Sequence, residues 1–177
     1  MDHDIKLFFR TQLAEVANSR SDFDLTEGCP SPSDIDVLCG KAAGLFIYAS
    51  TVVKLVAFRH RTPTEQLERI ITFPQSTDHE GRSGVDLLCI QILEQAAADM
   101  GIDRDNEEIY SRFKTVVGAV LLVSNPLSAR ALSDLLKVPN IYTTLHSLHS
   151  LLLIPDVKVD PIHIFHKLFF DFFTDLS

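Results

Sequence analysis

Histidines, cysteines and close carboxylate pairs are the side chains of this 177-residue chain with the most chemistry to offer. His146 and His149 stand three apart. On a helix that spacing gives a shared face, as two imidazoles converging on a metal would need. No neighbouring Cys or carboxylate completes a ligand set, so a helix-face pair in a groove or toward solvent is the simpler reading. His163 and His166 fall on or next to a segment that reads as strand. There an odd spacing sends side chains to opposite faces, and a shared metal is not expected. The pairs Asp34/Asp36 and Asp103/Asp105 occupy cap and linker contexts and read as solvated acidic surface. Cys29, Cys39 and Cys89 are scattered, with no C-x-x-C pair and no protease-type signature. Neither a zinc knuckle nor a disulfide framework is supported, and a reducing, cytoplasmic compartment is expected.

Nucleotide and acyl-transfer motifs are missing as well. A P-loop requires G-x-x-x-x-G-K-[ST], so that backbone N–H groups cradle phosphates while the Lys reaches the outer ones. Gly40-Lys41 is followed by Ala42, and position 35 is Ile. No G-x-S-x-G elbow occurs. No catalytic residue and no metal ligand is assigned, and independent enzyme activity is not expected.

The elements that would position these residues are mostly helical. Ile5, Phe8, Phe9, Leu13, Val16 and Ala17 form one apolar stripe over Asp4 to Ser19. After a loop broken by Gly28, Pro30 and Pro32, Ser33-Asp34-Ile35-Asp36 reads as an N-cap with an acidic third helical position. That helix should break near Gly40 or Gly44, and the apolar part from Gly44 to Phe58 should sit centrally in a core. Thr62 caps a helix with Pro63 at its first position, running to about Phe73. Gln75 to Ser83 is polar and reads as a loop, and Val85 to Ala98 as a helix. The acidic stretch Met100 to Asn106 is the expected subdomain boundary. Beyond it, Glu107 to Val123, a short Ser128-capped helix to Leu136, and Tyr142 to Leu152 read as three helices. Leu151 to Ile154 and Val157 to Phe165 read as a hairpin turning at Pro155-Asp156. Three helices and then a hairpin is the winged-helix order, so the expected class is mainly α, a helical bundle followed by a winged-helix subdomain.

Charge limits the partners. Acidic residues outnumber basic ones 24 to 16, for a formal net charge of −8. Such a chain has no general electrostatic grip on nucleic acid or anionic membrane. The expected recognition helix, Ile141 to Leu152, contains no Lys or Arg, so duplex DNA is not the expected partner of this winged helix. Ala42 to Phe58, the longest apolar stretch, is interrupted by Gly44, Ser50, Thr51 and Lys54 and reads as a core helix rather than a membrane span. The N-terminus Met1-Asp2-His3-Asp4 has no signal-peptide character.

The run Lys41-Ala42-Ala43-Gly44-Leu45-Phe46-Ile47-Tyr48-Ala49-Ser50-Thr51 resembles a segment of fungal NACHT-type signalling NTPases, NLR-like proteins of the STAND class. Gly118 to Val123 with Asn125-Pro126-Leu127-Ser128, and Tyr142 to Leu152, resemble the same family, as do Asp160-Pro161-Ile162 and the run from Phe165-His166-Lys167 to Asp175. The resemblance covers nearly the whole chain. It implies that residues 1–20 are the last helix of a nucleotide-binding core, 33–100 a helical domain and 107–177 a winged-helix domain. By the same resemblance, Gly44 and Phe46 align with a Gly-Leu-Pro-Leu motif beside the adenine, Phe46 standing in place of Pro. His166 aligns with a winged-helix histidine near the ADP phosphates. ATP or ADP would then be held only when a P-loop core is supplied. The expected partner is protein: a NACHT core in cis or in trans, or further copies of the chain. The implied role is a non-catalytic switch segment, in a truncated or partial chain. The alternatives are a stand-alone interaction module that regulates full-length relatives and, behind it, a winged-helix nucleic-acid binder. Leu168 and Phe170 replace small or polar family residues near the end, where five of the twelve phenylalanines fall between 165 and 173. Such a cluster must fold back on the domain or meet a partner.

Overall fold

In the computed structural model, residues 2–19, 30–58, 61–73, 83–99, 107–123, 125–138, 141–155, 157 and 159–175 are described. The fold is mainly helical, with one small antiparallel sheet. The chain divides into two compact units, Met1–Leu88 and Cys89–Ser177. The stretches 75–82 and 100–106, read from sequence as loop and boundary, lie outside the described residues. No helix among the described residues is long and apolar enough to cross a membrane.

The first unit holds α1 (Asp2–Ser19), α2 (Pro32–Ala42), α3 (Phe46–Ala57), α4 (Pro63–Thr72) and the start of α5 (Gly84–Asp99). α1 buries Ile5, Phe9 and Leu13, the i, i+4, i+8 stripe its sequence carries. It packs on α2 and α3, and α4 closes against both. α3 is the most enclosed, burying Tyr48, Ala49, Thr51, Val52, Val53, Leu55 and Val56, as its nearly all-round apolarity requires.

One local device starts three of these helices. Ser31, Thr62 and Ser83 each accept from the backbone N–H three residues on, and the carboxylates of Asp34, Glu65 and Asp86 reach back to the cap N–H groups. Two orphan donors are satisfied reciprocally in each case. The cap of α2 is thus Ser31, two residues before the expected Ser33. Pro32 explains the offset: it has no N–H to satisfy, and its fixed φ suits the first helical position.

In the second unit, α6 (Glu107–Leu122) is followed by α7 (Ala129–Leu136), capped by Ser128, and α8 (Ile141–Ser147). α6, α7 and α8 pack on one another. α8 ends well before Leu152. The chain tightens through residues 148–151, with the Leu151 and Leu152 N–H groups both donating to the Leu148 carbonyl at 2.9 Å. β1 (Leu152–Leu153) then pairs antiparallel with β2 (His163–Ile164), Leu152 opposite Ile164. The ladder is shorter than the expected hairpin, and residues 154–162 connect it. Pro161 lacks the donor a ladder needs, and it bridges to Ser128 instead. The next N–H, of Ile162, donates to the Leu127 carbonyl at 2.9 Å. The loop is long because its return leg is drawn to the segment before α7.

The terminal α9 (Lys167–Asp175) packs on β2. It folds Phe169 and Phe172 inward, and the Phe165 and Phe169 rings stack with centroids 6.4 Å apart. Leu168 and Phe170 stay at the surface.

Two glycines make a controlled comparison. A Cβ at Gly84 would collide with the Lys41 carbonyl and meet the Tyr48 ring, whereas one at Gly40 would meet nothing. Gly84→Ala should therefore cost about 1–3 kcal/mol, and Gly40→Ala should add about 0.5–1 kcal/mol by stiffening the unfolded chain. Urea melts of the two variants check the opposite signs. Thr51 carries the second expectation. Its Oγ1 is buried with no hydrogen-bond partner, so Thr51→Val should be neutral or stabilising. A loss above about 1 kcal/mol in the same melts would show that the hydroxyl has a partner.

Candidate functional site

Gly44 and Phe46 flank the turn that joins α2 to α3 in the first unit. Ala43 (φ 47°, ψ 39°) and Gly44 (φ 79°) are both left-handed. The Ala43 N–H donates to the Cys39 and Gly40 carbonyls at 3.2 and 3.3 Å, closing α2. Gly44 supplies the second positive φ at no Cβ cost, and the Leu45 N–H then donates to the Ala42 carbonyl at 2.8 Å. Leu45 is the N-cap of α3 and makes no side-chain capping bond. Phe46 is 47% exposed and leans on Phe8 of α1, ring centroids 4.7 Å apart at 54°. The junction thus presents two partly exposed apolar side chains, Leu45 and Phe46, at the start of a helix.

Just before this turn stands a half-buried cation, Lys41. The Lys41 ammonium donates to the carbonyls of Ile70 at 2.7 Å and Phe73 at 3.0 Å. These belong to the C-terminal turn of α4, whose last carbonyls have no helical partner and carry the negative end of the helix dipole. Burial lowers the Lys41 pKa, since it penalises the charged form. The same penalty raises that of the buried Tyr48 phenol in α3. The one sequence sign of the Lys41 role is its place in the last turn of α2, among residues that face inward.

The second unit carries the histidines. His163 is exposed on β2. His166, also exposed, immediately precedes α9. The Leu168 N–H donates to its Nδ1 at 3.2 Å and the Phe169 N–H to its carbonyl at 3.0 Å. His146 is exposed on α8, and the Nδ1 of the half-buried His149 lies 3.1 Å from the His146 carbonyl. Among the described residues no three His, Cys, Asp or Glu side chains group as a metal site. Burial pushes the Cys39 thiol upward, away from an activated thiolate. Between α6 and the α8–β1 segment lies a pocket lined by Val117, Val120, Leu121, Leu148 and Leu151 among others, all aliphatic. Gly44 and Phe46 belong to the first unit and His166 to the second.

Comparison with protein-family models, with curated proteins and with solved structures finds no match to this chain.

Four shifted groups give the first unit an alkaline signature: burial raises the Cys39 and Tyr48 pKa values and lowers those of Lys41 and Lys54. The folded state holds the Tyr48 proton that the unfolded chain releases above about pH 10. The stability this contributes is complete below that pH and is lost as pH rises toward the raised folded value. Lys41 acts with opposite sign. Between its lowered value and the ordinary 10.5, the unfolded chain binds the proton more tightly, so stability rises with pH. Tyr48→Phe should therefore reduce the loss of stability above about pH 10, leaving the smaller share that the raised Cys39 thiol contributes, checked by urea midpoints across the alkaline range. An unchanged alkaline loss in the variant would show that the phenol does not cause it.

Proposed function

We propose that this chain is a non-catalytic switch segment of a NACHT-type, STAND-class signalling NTPase, a helical domain followed by a winged-helix domain. The observation that carries the reading is the crossing of the Leu127–Ser128 segment with Pro161–Ile162. It is an isolated bridge outside the two-stranded sheet, and it ties the return leg to a segment from between the first and second of three packed helices. Helix, bridged segment, helix, helix and hairpin in that order supports the winged-helix reading. The family resemblance lies in the same segments.

The surface of this unit favours protein as its partner. α8 has no Lys or Arg, its exposed positions being Thr143 and His146. The hairpin exposes Leu153, Val157 and Val159. Phosphate recognition needs several cations; α8 has none, and the hairpin sequence has one lysine, Lys158, between Asp156 and Asp160. In the first unit, the exposed Phe46 ring offers a flat apolar face to an adenine, if a P-loop core supplies the phosphate cradle. In the second, His166 keeps Nε2 available toward a phosphate oxygen, since Nδ1 is engaged by Leu168. The nucleotide then acts by differential affinity: only a contact made in one state of the core shifts the equilibrium.

The test is binding of the purified chain to a separately purified NACHT core loaded with ADP or with a non-hydrolysed ATP analogue. The expected result is a complex at least about tenfold tighter in the ADP state. Equal affinity in both states would favour a constitutive interaction module. No complex, together with a mobility shift of duplex DNA at low salt, would replace the proposal with nucleic-acid binding.

A further inference from the structure

We draw no further inference here: the strongest candidate, the apolar surface at the end of α6 and on the hairpin, where Leu122 and Leu153 are exposed directly after the pocket-lining Leu121 and Leu152, is an unpartnered face, and nothing in the structure shows what covers it.

Discussion

The contact between the Lys41 ammonium and the end of α4 is what the rest of the first unit is arranged around. Its two acceptors belong to a helix that starts more than twenty residues later, so it joins α2 to α4 across the bundle. It neutralises carbonyls that the helix cannot satisfy itself. The penalty is partial desolvation of an ammonium, seen as the lowered Lys41 pKa, and the charge-assisted bonds offset it. The same residue's backbone carbonyl leaves no room for a side chain at the first position of α5, which is Gly84. One lysine therefore fixes the spacing of three helix ends: its side chain at the end of α4, its carbonyl at the start of α5, and its own place in the last turn of α2. Directly after it, the left-handed Ala43 and Gly44 reverse the chain into α3. A non-glycine residue at φ 47° is a strained choice, sustained here by the α2 end bonds that the turn completes.

Much of the fold was legible because helix starts are local. Thr62-Pro63-Thr64-Glu65 announces its helix within four residues, and the structure begins α4 where that pattern places it. Ser31-Pro32-Ser33-Asp34 is the same device, and reading Ser33 as the cap overlooked the proline between them. Apolar spacing located α1 and α5, and the Ser128 cap located α7, to within a few residues for the same reason: each signal is written in the helix's own sequence. What stayed hidden depends on distant partners. Nothing near Lys41 in sequence reveals that its acceptors are Ile70 and Phe73. Nothing in residues 151–165 reveals that the return leg of the hairpin will be drawn to Leu127. The sequence pattern extended α8 to Leu152 because its leucines keep helical spacing. The chain leaves the helix at Ser147, and the carbonyl of Leu151 accepts from the Phe165 N–H at 2.8 Å. A tertiary bond overrides local propensity there.

The candidate site divides in the same way. Gly44 was picked out by resemblance, and its geometry supplies an independent reason for glycine, a left-handed turn residue. Phe46 is neither fully buried nor isolated: one face meets Phe8 and about half of the side chain reaches solvent. His166 lies beside a strand, two residues beyond the end of β2, and also immediately precedes α9, where its Nδ1 accepts from the Leu168 N–H. That placement decides its chemistry. A histidine on β2, such as His163, has no backbone donor fixing its tautomer. A histidine at the start of α9 is held in one tautomer by the Leu168 N–H, and only Nε2 remains to act as a donor.

Surface chemistry sets the direction in which a function can be sought. Of the aromatic-rich end, Phe169 and Phe172 are buried within the chain. Exposed apolar side chains lie on the hairpin and at the end of α6, where Leu122 is 78% exposed. Exposed aliphatic side chains beside a neutral α8 suit an apolar protein surface, because burying them releases water without the desolvation of charges. They do not suit a phosphate backbone, whose binding energy comes from cations and counterion release. The net charge of −8 acts in the same sense at long range, repelling polyanions before any contact forms. Short-range and long-range terms therefore both oppose a polyanion, and the exposed aliphatic side chains of the hairpin and of the end of α6 are the first places to map contacts.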